Sequence, residues 1–254
     1  MTAFGFQLYS LRDVDDPLPT VLDRIGETPF TGVEFAGFDG DEPAAIAATL
    51  DDAGLSSAAV HVHLDAIEAD PDGVAATARD LDCRDVVVPW LDPRHFRSVA
   101  AVEAAADRLA DAADALAAHD VRLHYHNHDQ EFVSLDGRPA LTHLLDATDG
   151  VGLELDVGWA GSTGADPLAY FSAHADRIDL VHLKDYDAAA GETVRVGAGD
   201  LDLGRTVDAV REHGVDWLVY EAEDGPDTYD TLDHAAAVVD GFDRGARPPS
   251  ESDR

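Results

Sequence analysis

Leu153-Glu154-Leu155-Asp156-Val157-Gly158-Trp159 is an apolar run that carries two carboxylates set two residues apart. A strand covered on both faces, the environment of a parallel sheet flanked by helices, should read as continuous Val, Ile and Leu, and here acids interrupt it. The two-residue period turns Glu154 and Asp156 to one side and the leucines to the other. Two charges on one side of a buried strand need polar partners or a cation. The inner face of a closed barrel can supply both.

The same grammar extends outward through the chain. Phe4–Tyr9, Gly32–Ala36, Ser57–Leu64, Asp85–Trp90, Val121–Asn127, Ile178–Lys184 and Trp217–Ala222 read as seven further strands. Alanine-rich stretches of helical spacing alternate with them, the clearest from Val99 to Ala118. Gly54, Gly150 and Gly214 stand just before strands, as helix stops do. Eight strands alternating with about as many helices predict a single-domain (β/α)8 TIM barrel, an α/β fold, over 1–243. The first turn lacks the GxGxxG loop expected of a doubly wound sheet. Residues 244–254 are polar and are expected to be a disordered tail.

Composition narrows the classes of function. The chain has 254 residues, 45% of them hydrophobic, enough for one large core. Fifty-two acidic residues face 17 basic ones, of which only Lys184 is lysine, and the formal net charge is -35. A distributed acidic surface of this kind resembles that of salt-adapted, halophilic proteins, in which salt screens self-repulsion. It argues against a nucleic-acid partner. The single Cys83 excludes an internal disulfide and a thiolate finger. No apolar segment is long enough to span a bilayer, and a strand begins almost at Met1, so a soluble, cytoplasmic chain without a membrane partner is expected. Homo-oligomerisation stays open.

Ionisable groups close the later strands. Leu123-His124-Tyr125-His126-Asn127-His128 ends strand five, His182 and Lys184 lie on one side of strand seven, and Glu221 and Glu223 on one side of strand eight. With Glu154 and Asp156, these would gather carboxylates and imidazoles at the C-terminal mouth. One divalent cation would relieve that charge, and an O/N donor set without thiolate suits Mn2+, Mg2+, Co2+ or Zn2+. Against this stands the plainer reading, in which Asp156 caps the next helix and Glu154 pairs with an arginine deeper in the barrel. His61 and His63 are weaker candidates on strand three.

The order and spacing of Gly5–Ser10, Tyr125–Phe132, Glu154–Trp159, Val181–Asp185 and Gly197–Asp202 resemble the sugar phosphate isomerase/epimerase family, the xylose isomerase-like TIM barrels. The resemblance implies one divalent ion held by Asp156, His182, Glu221 and a strand-five group. Many relatives have a glutamate where this chain has His126, so either His126 ligates or Glu131 reaches back. It implies proton abstraction beside the carbonyl of a sugar, keto sugar or polyol. Glu221, His126 and Glu131 would act as acid or base, with Lys184 stabilising the enediolate. His128, Trp159, Lys184, Tyr9 and His61 would contact the substrate. A keto-inositol or keto-sugar dehydratase, a Schiff-base lyase through Lys184, an apurinic-site endonuclease and a non-catalytic sugar-binding barrel are the alternatives.

Overall fold

The computed structural model describes residues 2–37, 42–223 and 228–243. The expected tail over 244–254 lies outside the described residues. Eight parallel strands close into a barrel: β1 (Ala3–Gln7), β2 (Gly32–Phe35), β3 (Ser56–His61), β4 (Asp85–Val88), β5 (Arg122–His126), β6 (Val151–Asp156), β7 (Ile178–Leu183) and β8 (Trp217–Tyr220). The seam pairs β1 with β8, Ala3 opposite Trp217 and Phe6 opposite Tyr220. Each expected strand is found, though several end earlier than their apolar runs. In β1, the Gln7 side chain accepts the Tyr9 N–H at 3.0 Å and curls the chain into a 3-10 helix over Leu8–Leu11. Tyr9 therefore leaves the sheet.

Helices α1 (Leu18–Gly26), α2 (Pro43–Ala53), α3 (Leu64–Ala69), α4 (Pro71–Asp80), α5 (Val99–Ala117), α6 (Ala140–Ala147), α7 (Val157–Ser162), α8 (Pro167–His174), α9 (Leu203–His213) and α10 (Tyr229–Asp243) surround the barrel. α5 shows why: Ser98 caps it by accepting the Ala101 N–H at 3.2 Å, and it buries Val102, Ala105, Ala106, Leu109, Ala112, Ala113 and Leu116. The alanines hold the stripe close to the sheet. α2 and α9 stop at Gly54 (φ 70°) and Gly214 (φ 71°), left-handed positions that glycine fills without strain.

The apolar core lies between sheet and helices, where Phe6, Val33, Val86, Leu123, Tyr125, Leu155, Val181 and Leu218 point outward from the barrel. The barrel axis is different. Ala59, Val87 and Leu180, with Trp217 against them, make an apolar plug there. Below the plug, at the N-terminal mouth, Arg122 clasps Asp85 with two hydrogen bonds (2.7 and 2.9 Å) and reaches Asp179 and Asp216. His124 closes the same end on Asp85 at 2.7 Å. The space for its ring exists because residue 152 is glycine; a Cβ there would collide with the imidazole. Above the plug the axis is almost wholly ionisable.

Candidate metal and substrate site

Alternation along each strand builds the site. Gln7, Glu34, His61, His126, Glu154, Asp156, His182, Lys184 and Glu221 come from the inward positions of strands and their C-terminal ends, and all are buried. Pairing slips by one residue next to Glu34 in β2 and next to Glu154 in β6. Such irregularities re-aim a side chain. Asn127 stitches β5 to β6: its carbonyl oxygen accepts the Asp156 N–H (3.1 Å) and its amide donates to the Asp156 carbonyl (3.2 Å). Asp156 performs the capping task that the sequence allowed. Its Oδ1 caps α7 by accepting the Trp159 N–H at 2.8 Å, while its buried Oδ2 has no hydrogen bond.

Among the described residues two groups of donor atoms result, each with all its atoms within 4.8 Å of one another: His126, Asp156, His182 and Glu221 above, and Glu34, His61, Glu154 and His182 below. His182 belongs to both. Its Nδ1 lies 2.9 Å from Glu221 and its Nε2 lies 2.6 Å from Glu34. The Lys184 ammonium bridges the upper carboxylates, 3.2 Å from Asp156 and 2.9 Å from Glu221, and reaches Glu223 at 2.5 Å.

Burial opposes every charge here, and neighbours decide the outcome. Burial would strip the proton from His182, yet Glu154, Glu34 and Glu221 hold its pKa well above the ordinary histidine range. His61 is likewise lifted, against burial, to about 10 by Glu34 and Glu154. Burial would lower Lys184 too, but Asp156, Glu221 and Glu223 raise it. Glu221, despite burial, is held well below the carboxylate range by Lys184 and His182. For His126 and His128 burial prevails, joined by nearby positive charge, and brings them down to about 4 and about 3. Asp156 is raised by burial although Lys184 and His182 oppose it.

The sequence-derived residues sort as follows. His126, Asp156, His182, Lys184 and Glu221 converge, and His128 packs on His126 with ring centroids 4.9 Å apart. Trp159 stands beside His128 at 5.5 Å, with the Lys184 ammonium 5.1 Å from its ring centre. His61 sits in the lower group. Tyr9 is 42% exposed, its ring covered by Arg12 at 4.3 Å. Glu131 corrects the expectation that it reaches back to the ligand set: it accepts the Tyr125 O–H at 2.5 Å and the His128 N–H at 2.8 Å, and Tyr125 faces away from the axis. Glu154 pairs with histidines, 3.2 Å from His61 and 3.1 Å from His126, and not with an arginine. His124 leaves the proposed histidine row for the opposite mouth. A lysine held protonated by three carboxylates is a poor Schiff-base nucleophile, which speaks against the lyase alternative.

Gln7 and Glu34 were not foreseen. The signal was present: an acid inside Gly32-Val33-Glu34-Phe35, a strand too apolar to leave a carboxylate without partners. Among the described residues no helix is long and apolar enough to cross a membrane.

Residues 22–243 match the family described as the xylose isomerase-like TIM barrel. The chain is 33% identical over 158 residues to the rhizopine catabolism protein MocC of Rhizobium meliloti, a match covering 52% of this chain and 46% of that protein. The chain thus aligns with about half the length of that relative. A sugar phosphate isomerase/epimerase from Parabacteroides distasonis superposes with a TM-score of 0.80 at 21% identity, covering 94% of each chain. The probable 3-DHS dehydratase AsbF from Bacillus anthracis superposes with a TM-score of 0.76 at 16% identity, covering 94% of this chain and 99% of that one.

Proposed function

The chain belongs to the xylose isomerase-like TIM barrel family, and from that footing we propose that it is a divalent-metal-dependent isomerase or epimerase of a sugar, keto sugar or polyol. The observation that carries this reading is the convergence of His126, Asp156, His182 and Glu221 from four neighbouring strands, with the buried Asp156 Oδ2 left without a hydrogen bond. The donor set fits a divalent ion: two carboxylates balance its charge, and the low pKa of His126 leaves that imidazole neutral and able to ligate. Bound there, such an ion would polarise a substrate carbonyl and acidify the adjacent C–H.

The chain's own groups would do the rest. Glu221 is ionised and can accept a proton on one side of the substrate. His126 and His128 are neutral bases for the other side. Lys184 remains protonated and can donate to the oxygen on which negative charge develops. The Trp159 indole offers an apolar face, and its buried Nε1–H has no protein partner, so it is free for a substrate hydroxyl.

Dehydration of a keto sugar or keto-inositol is the second reading, favoured by the structural likeness to a probable dehydratase. It shares the abstraction step. Mn2+-loaded protein in concentrated KCl and D2O, offered a panel of keto sugars and keto-inositols, separates the readings. Solvent deuterium at the carbon beside the carbonyl with an isomeric product supports the isomerase, and deuterium with loss of water the dehydratase. Binding with no exchange would leave only a sugar-binding barrel.

A further inference from the structure

His182 is the one candidate ligand that faces both donor groups, and a neutral imidazole offers a lone pair from only one nitrogen. Which nitrogen is free is decided by hydrogen bonds that start at the backbone. The Tyr9 N–H can only donate, so the Gln7 side-chain atom that it meets at 3.0 Å is the carbonyl oxygen. The Gln7 amide nitrogen therefore points the other way and donates to Glu34 Oε2 at 2.7 Å. Glu34 is wholly buried, and its Oε2 lies 2.6 Å from His182 Nε2. A carboxylate oxygen already accepting from Gln7 accepts the second proton most strongly as an anion, which places a hydrogen on Nε2. In the neutral imidazole, the form able to ligate, this leaves Nδ1, the nitrogen facing Glu221, as the one with the lone pair.

Resting on the metal-dependent reading above, we propose that Glu34 is a positioning residue. Through the chain Tyr9 N–H, Gln7, Glu34 and His182, it fixes the tautomer and ring plane that present His182 Nδ1 to the upper group. The slip in pairing between Val33 and Glu34 aims the carboxylate under the imidazole. A carboxylate behind a ligating histidine raises the basicity of the ligand, and its loss typically weakens metal affinity about 10- to 100-fold.

The competing assignment makes Glu34 a ligand. In a tetrahedral site with bonds of about 2.1 Å, donor atoms stand roughly 3.4 Å apart. The lower group comes near this, with His61 3.3 Å from Glu34 and 3.2 Å from Glu154. The Glu34–His182 separation of 2.6 Å does not; it is a hydrogen bond.

The test titrates Mn2+ and Zn2+ into wild-type, Glu34→Gln and Asp85→Asn protein at high KCl, and records imidazole nitrogen NMR on the Zn2+-loaded wild type. One ion per chain is expected, held 10- to 100-fold more weakly by Glu34→Gln. Asp85→Asn, which disturbs the opposite mouth, should lower thermal stability and leave affinity unchanged. His182 should show a protonated Nε2 and a metal-bound Nδ1, a readout that holds even if Glu34→Gln does not fold. Two ions per wild-type chain, equal affinity in Glu34→Gln, or metal on Nε2 would each overturn the inference alone. A wild-type chain that takes up no ion would sink the functional reading together with it.

Discussion

Glu131 shows how a single side chain can look catalytic in sequence and be something else in space. Its place after the histidine row suggested a ligand or base, yet it is fully buried between the Tyr125 hydroxyl and the His128 amide. Burial lifts its pKa from 4.5 to about 7, outweighing those two donors. A carboxyl whose folded pKa is raised stabilises fully below about pH 4.5, and the contribution fades as pH rises through about 7. The span corresponds to about 3 kcal/mol. Glu131→Gln, which does not titrate, should therefore gain stability relative to wild type between about pH 5 and 8. Denaturation midpoints that run parallel with pH would refute this. His126, Asp156, His182 and Glu221 were legible because ionisable groups interrupt strands that should be apolar. Glu131 and Glu34 were not, because hydrogen-bond direction and a local slip in pairing leave no mark on composition.

At the scale of elements, all eight strands could be read because a strand covered on both faces has little freedom in composition. The ribbon pairing Asp185–Asp187 with Glu192–Val194 could not, since its cause is a remote clamp. Asp185 accepts the N–H groups of Tyr186, Gly197, Gly199 and Leu201, between 2.8 and 3.0 Å, and binds the Gly197–Asp202 landmark to the end of β7. α7 leans on the same strand end through small residues. A Cβ at Gly158 would lie 2.7 Å from the Lys184 Cβ and 2.8 Å from its carbonyl carbon, and one at Gly161 would enter the Tyr186 ring. Overpacking of this kind costs about 1–3 kcal/mol. Gly158→Ala should lose that much stability and, by displacing Lys184 from Asp156 and Glu221, lower turnover more than any equally destabilising change at the N-terminal mouth. Equal turnover at matched stability would contradict it.

For the molecule as a whole, the decisive number is the net charge of -35. The exposed ion pairs, such as Arg108 with Asp65 and Glu68 or Arg138 with Asp146, are each worth at most about 1 kcal/mol and cannot offset repulsion spread over the surface. Screening shrinks from about 30 Å at 0.01 M salt to about 3 Å at 1 M. The melting temperature should accordingly climb with KCl, by on the order of 10 °C between dilute and molar salt, a few kcal/mol for a chain of this size. A flat or falling midpoint would show that the acidic surface is not an adaptation to salt.

The proton held by His182 has a consequence beyond geometry. Its imidazole keeps that proton well above neutral pH, so an ion can take Nδ1 only by evicting it. If the proposed ion binds, loading should release about one proton per ion, and affinity should fall about tenfold for each unit of acidification. Weakly buffered KCl would register every loading event on a pH electrode.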